Sequence, residues 1–312
     1  MKIKAKHVVA SLVLLSFLVA GFSGCKDSAP VGKRVVKIAY LPITHALPVF
    51  EAKEELEASQ DDLQIELVKY GSWPELLDAL NTGRVDGASV LIELAMRAKE
   101  TGVDLKAVAL GHKDGNVLIA SPEIETAADM KGKTFAIPHR QSSHNILLND
   151  ALAQGGLTSS DVTIVELAPP EMPSALASKQ IDGYCVAEPF GAKAAVFKVG
   201  KPLFTSEELW NDSLCCGLVL TNAFIEGRSD DASHFVQSYK VAGKNLNKDR
   251  AKEIAKKYLR QDDATLDTSL QWISYDELDI TPEIYAALVD RVERYGLSDA
   301  PPSYEDFVKS DL

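Results

Sequence analysis

The densest set of reactive side chains in this 312-residue sequence is the run His139-Arg140-Gln141-Ser142-Ser143-His144. Two hydroxyls at the start of a predicted helix, with a cation just upstream, suit an oxyanion. A helix start presents unpaired N–H groups and about half a positive charge, and the Arg140 guanidinium offers a planar fork to the same oxygens. Ser142 and Ser143 equally suit plain N-capping, and Arg140 equally suits a solvated surface. Thr44 and His45 open a second predicted helix. Trp73, on a predicted loop, suits the wall of a small-molecule pocket or packing beneath it. Ser89 falls near the end of a strand, and Glu188, stopped by Pro189 after an apolar strand, suits an N–H donor of a ligand or a pairing with Arg140.

Catalysis finds less support. Ser142 and His144 stand two apart and do not face each other on a helix. The sequence holds no HExxH, nucleophile elbow, phosphate loop or dinucleotide fingerprint. His139 and His144 have no further spaced Cys or His to complete a metal site, so neither a metal nor a cofactor is expected. Cys185, Cys215 and Cys216 form no disulfide framework and fit no zinc spacing. Adjacent cysteines rarely pair with each other, and all three read as small buried hydrophobes.

The elements that must position these side chains are written twice. "PELLDALNTGRVDG" begins at Pro74 and "PEMPSALASKQIDG" at Pro170, 96 positions on, and the same step separates Pro42 from Pro138, Asp86 from Asp182 and Gly87 from Gly183. In the first copy "VVKIAYLP" reads as a strand, "HALPVFEAKEELEAS" as a helix, "LQIELVKY" as a strand, "PELLDALNTG" as a helix and "VDGASVL" as a strand. The second copy repeats that order through "GKTFAIP", "SSHNILLNDALAQGG", "VTIVEL", "PEMPSALASK" and "IDGYCVAEP". Such alternation predicts two consecutive lobes with parallel sheets and a cleft between them. "NVLIAS" from Asn116 and "CCGLVLTN" from Cys215 read as crossings between lobes, and the helical pattern after Ala223 packs back on the first. Ligands of open α/β sheets sit at the carboxyl ends of strands. The repeated Asp-Gly pairs lie at the amino ends, so they are read as structural turns, while Thr44, His45, Trp73, Ser89, Arg140, Ser142, Ser143, His144 and Glu188 fall on the cleft side.

The first 25 residues carry Lys2, Lys4 and Lys6, an apolar run from Val8 to Ala20, and small residues before Cys25. That is the pattern of a secretory signal with a lipobox, cut before Cys25, whose thiol then carries lipid; Phe22 stands where such boxes usually have Leu. The roughly 290 residues that follow suggest two compact units, and 46% apolar content supports real cores. A net charge of −12 argues against nucleic acid or anionic lipid as partner.

"KIAYLPITHALPVFEAKEE", "YGSWPELLDALNTGRVDGASVL", "GKTFAIPHRQSSHNILL" and "IDGYCVAEPFGAKA" resemble the solute-binding proteins of ABC importers in the nitrate/sulfonate/taurine group, themselves similar to the pyrimidine-precursor-binding proteins of thiamin salvage. The resemblance covers about residues 36–221. It implies an α/β, two-lobed periplasmic-binding-protein fold of type II: signal peptide 1–24, linker 25–35, lobe one 36–119, lobe two 120–215, and a return to lobe one with C-terminal helices over 216–312. It further implies a lipid-anchored monomer that binds a small solute by hinge closure and docks on an ABC permease with its ATPase. "SSHN" resembles the sulfonate-binding members, which implies an alkanesulfonate; His45, Trp73 and Glu188 leave a thiamin-related pyrimidine open. From other classes, a lyase or synthase on the same fold would use His45 or His144 as general base, and a sensor would pass the closed state to a receptor.

Overall fold

The computed structural model describes residues 33–312; the predicted signal segment and Cys25 lie outside them. The first part of the chain runs β1 (Arg34–Tyr40), α1 (Leu47–Ala58), β2 (Leu63–Lys69), α2 (Trp73–Asn81), β3 (Gly87–Leu91), α3 (Ile92–Glu100) and β4 (Leu105–Leu110). A two-residue strand β5 (Lys113–Asp114) leads to β6 (Asn116–Ala120), β7 (Thr134–Ile137), α4 (Ser143–Gln154), β8 (Thr163–Glu166), α5 (Met172–Ala177), β9 (Gly183–Ala187), α6 (Phe190–Val196), β10 (Lys201–Thr205) and α7 (Ser206–Leu209). The chain returns along β11 (Cys216–Thr221) and continues through α8 (Asn222–Gly227), α9 (Ser229–Asn245), α10 (Lys248–Leu259), α11 (Asp263–Ser269), β12 (Ile273–Ser274), α12 (Pro282–Arg294) and α13 (Tyr304–Phe307).

Two five-stranded sheets result, ordered β2-β1-β3-β11-β4 and β10-β6-β9-β7-β8. The sheets are mixed, not parallel throughout. β1 pairs in parallel with β2 and β3, and β7 with β8 and β9, as the βαβ copies require. β11 runs antiparallel to β3 and β4, and β6 antiparallel to β9. The reason is connectivity: each of these strands enters its sheet from the neighbouring lobe and so travels the opposite way.

The repeated Asp-Gly pairs show what the duplication preserves. Asp86 accepts a hydrogen bond from the Lys37 N–H through its carboxylate (2.8 Å) and returns its own N–H to the Lys37 carbonyl (2.9 Å). Asp182 makes the same pair of bonds to Thr134, both 2.8 Å. Each Asp thus fastens the first strand of its copy to the third. The glycines are not turn residues: both are buried first residues of strands. A Cβ on Gly87 would lie 2.5 Å from the Val219 carbonyl oxygen, and one on Gly183 2.6 Å from that of Ile119. Close approach of the antiparallel neighbour is what excludes a side chain there.

Proline in the first turn starts α1 and α2 with φ already set, and Ser142 caps α4, its hydroxyl accepting from the Asn145 N–H. Lobe one is completed by α9 and α10, which cover α1. Phe50 meets Tyr40 edge-on at 4.9 Å and stacks on Tyr258 at 4.6 Å. Beside them Arg250 Nε donates to both oxygens of buried Glu51 at 2.8 and 2.9 Å. The two crossing segments run side by side: the Gly111 N–H bonds to the Cys216 carbonyl (2.8 Å), and the Asp114 N–H to that of Ser213 (3.1 Å). Pairing of β12 with β5 and a bond from the Gly115 N–H to the Trp272 carbonyl (2.6 Å) add a C-terminal brace. Among the described residues, no helix is long and apolar enough to cross a membrane.

Candidate functional site

Where strands β1, β3, β7 and β9 end, the loops of both sheets converge on the crossing segments. His45 sits in a 3-10 turn, Thr44–Ala46, that precedes α1 in place of the longer α-helix expected. Its neighbour Thr44 and its own ring are both tied to other segments. The Thr44 N–H and hydroxyl donate to the Glu188 carbonyl at 2.9 and 3.0 Å, the Tyr275 hydroxyl donates to the Thr44 carbonyl at 3.0 Å, and His45 Nε2 lies 2.9 Å from the Gly115 carbonyl. A carbonyl only accepts, so the proton is on Nε2 and His45 Nδ1 keeps its lone pair.

That lone pair points at sulfur: Nδ1 is 3.5 Å from Cys216 Sγ, which is 3.9 Å from Cys215 Sγ. His112, from the outgoing crossing, lies against His45 with ring centroids 3.6 Å apart and the rings tilted by 33°, and it accepts the Cys216 N–H at Nε2 (3.3 Å). All four residues are buried. No spacing in the sequence announced this constellation; the fold alone brings the four side chains together. Cys185 is the buried thiol expected, but Cys215 and Cys216 meet two imidazoles instead of filling apolar space. Burial pushes both thiols up; for Cys215 the hydrogen bond from Cys216 opposes burial and the net direction is well below the ordinary value, whereas Cys216 stays well above it. Burial drives His112 and His144 down to about 4, so both rings are neutral at pH 7.

Of the other expected site residues, Ser143 and His144 arrive from lobe two, fully buried, at the start of α4. The Ser143 hydroxyl and both ring nitrogens of His144 have no hydrogen-bond partner among the described residues. Ser89 is buried on β3, and Trp73 is buried with no partner for its indole N–H among the described residues. Trp73 lines a cavity of about 290 Å³ that spans the lobes, facing Pro138, His139 and Leu167. Ser142 is a cap, donating to the His139 carbonyl at 2.6 Å. Glu188 is buried, but its carboxyl turns back to accept the Ala192 N–H at 3.1 Å; burial raises it to about 8, against that bond. Arg140 is not brought to the others: it is exposed and its guanidinium donates to the Ile164 carbonyl of the edge strand β8 at 2.9 Å. The bulkier hollow of about 550 Å³, lined by Leu80, Asp86, Thr221 and Arg228, lies at the amino ends of sheet one, away from this chemistry.

Three residues of the site escaped the sequence reading besides the cysteines. Glu93, in the first turn of α3, is buried, and among the described residues neither carboxyl oxygen has a partner at full hydrogen-bond geometry; burial and the nearby Cys215 push it well above the ordinary range, and the N–H groups of Glu93 and Ser143, near enough to act on it, oppose this without outweighing it. Asn116 and His112 are buried on the outgoing crossing, and the Asn116 side-chain amide and His112 Nδ1 have no partner among the described residues. The signal that could have found them is position: segments that cross between lobes form the floor of the cleft, so polar residues in "LGHKDGN" and "SLCCG" should face it.

Two mixed α/β lobes joined by paired crossings, with buried polar side chains between them, define a protein of the periplasmic-binding-protein fold. Residues 29–259 match the NMT1-like family, and the chain belongs to it. Among curated relatives, the nitrate/nitrite binding protein NrtA of Nostoc sp. is 29% identical over 200 residues, 56% of this chain and 46% of that protein. A putative aliphatic sulfonates-binding protein of Escherichia coli K12 is 28% identical over 191 residues, 60% and 59% of the two chains. The chain thus spans less than two thirds of the length of these relatives. Among solved structures, the ligand binding component of an ABC-type import system from Staphylococcus aureus, with zinc bound, aligns with a TM-score of 0.85 at 39% identity, over 89% of this chain and 97% of that one. The periplasmic nitrate-binding protein NrtA from Synechocystis PCC 6803 aligns with a TM-score of 0.76 at 16% identity, over 85% and 82%, a likeness of fold alone.

Proposed function

We propose that this chain is the solute-binding component of an ABC importer, exported and held at the membrane through lipid on Cys25, whose lobes close over a small solute and present the closed form to a permease. The observation that carries the reading is the set of buried polar groups that have no partner among the described residues, on facing elements: Glu93 and His112 from one side, Ser143 and His144 from the other. Each such group costs about 1–3 kcal/mol unless something supplies its bonds, and a solute enclosed between the lobes would supply them. The relatives that bind nitrate, sulfonates or, in one structure, hold zinc support the class. An alkanesulfonate remains the anion to test first, drawing support from the Ser143 hydroxyl at the α4 start; Arg140 adds nothing to it.

The test is a thermal-shift screen of sulfonates, nitrate, pyrimidines and metal ions, since a solute at 100 times its Kd adds about 2.7 kcal/mol. A true solute also alters tryptophan fluorescence, and Trp73→Phe abolishes that change. A stable Tm across every class would defeat the reading. For the anchor, Cys25→Ser releases the protein from membranes.

A further inference from the structure

We infer that the floor of the cleft is a site for one zinc-class transition-metal ion, held by His45 Nδ1, a ring nitrogen of His112, and the sulfurs of Cys215 and Cys216. The inference rests on the solute-capture reading and names the class of solute: a thiophilic cation. Four donor atoms, one from each residue, lie within 4.8 Å of one another and all are buried. A tetrahedral zinc site, with bonds of about 2.3 Å to sulfur and 2.0–2.1 Å to nitrogen, places ligand atoms about 3.8 Å apart for two sulfurs and about 3.6 Å for sulfur and nitrogen. The separations here are 3.9 Å between the sulfurs and 3.5 Å from Cys216 Sγ to His45 Nδ1. Two of the six edges of such a tetrahedron are thus already near their length, and the remaining pairs lie within 4.8 Å.

The tautomer agrees. The bond from His45 Nε2 to the Gly115 carbonyl commits the proton to the far side of the ring and leaves Nδ1 free to ligate, the outer-sphere arrangement usual for metal-binding histidine. Charge agrees too. No Lys or Arg is buried among the described residues, whereas Glu93 is, so an anion in this floor would find a carboxyl and two sulfurs but no fixed cation. Two thiolates and two imidazoles select zinc-like ions over magnesium or calcium. The ligands also come from separate segments: His45 from the start of α1, His112 from the outgoing crossing and the cysteines from the returning one. An ion there would pin both crossings together, with the unpartnered ring of His144 brought up from lobe two.

The experiment is a titration of the reduced, metal-stripped full chain with Co²⁺ as a spectroscopic stand-in for Zn²⁺, followed by competition with Zn²⁺, with small-angle scattering on the same samples. One equivalent of Co²⁺ should produce thiolate-to-metal absorption and tetrahedral d–d bands, both erased by Zn²⁺. Cys215→Ser and Cys216→Ser should each remove about half of the thiolate absorption, and the double variant all of it. His45→Gln should weaken binding by more than about 100-fold, beyond what loss of an outer-sphere contact costs. Cys25→Ser and Cys185→Ser should change neither. Absence of thiolate absorption at saturating Co²⁺ in the wild-type chain overturns the inference whether or not the variants fold, as does absorption that survives the double variant. Scattering separates the two readings. A metal that binds without compacting the chain leaves the site standing and removes solute capture, while compaction by an anion together with no thiolate absorption on Co²⁺ keeps capture and removes the metal.

Discussion

Arg140 and His45 show how far a side chain's type can mislead without its surroundings. The guanidinium stands next to the helix start that an oxyanion would favour, yet it bonds to the Ile164 carbonyl on the outer strand. Arg140→Ala should therefore leave solute affinity unchanged by calorimetry, and a large loss would return it to the site. His45, one of two histidines of equal promise, becomes a committed lone pair because one carbonyl fixes its tautomer. Glu188 shows the cost of burial. Its carboxyl is raised to about 8 against an ordinary 4.5, so it is neutral in the folded protein and charged in the unfolded chain between those values. Its contribution is full below about 4.5 and is lost as pH rises through about 8, at up to about 1.4 kcal/mol per pH unit. Denaturant melts across that window should show wild type losing ground to Glu188→Gln as pH rises; parallel curves would place the proton elsewhere.

Between elements, the duplication was readable because it is scaffold. Asp86 and Asp182 each hold first strand to third by two bonds, so Asp182→Ala should cost about 1 kcal/mol, and a greater loss would require an unseen partner. The glycines beside them were misread as turn formers, since one chain shows the Asp-Gly pattern but not the antiparallel strand that presses on it. Gly183→Ala should cost about 1–3 kcal/mol by overpacking against Ile119 and Phe135. A neutral result in chemical denaturation would show that β6 gives way. The mixed sheets have the same origin: alternation of strand and helix in the sequence reports local βαβ units, while strand direction across a lobe boundary depends on where the chain returns.

Across the two lobes, the buried polar groups make a testable claim about shape. A solute that satisfies Glu93, Ser143 and His144 should lower the radius of gyration by drawing the lobes together, and Ser143→Ala with His144→Ala should abolish that change while leaving the solute-free melting curve intact or improved. Unchanged scattering at saturation would argue for a rigid receptor. The periodicity, the repeat at 96 residues and the glycine and proline punctuation were enough for two α/β lobes, because those signals are local and each strand or helix carries its own. The sulfur and imidazole cluster was not in reach. His45, His112 and Cys215–Cys216 are separated by long stretches of chain and obey no spacing rule. Only the folding of two crossings side by side, with a helix start laid against them, puts their donor atoms within 4.8 Å of one another.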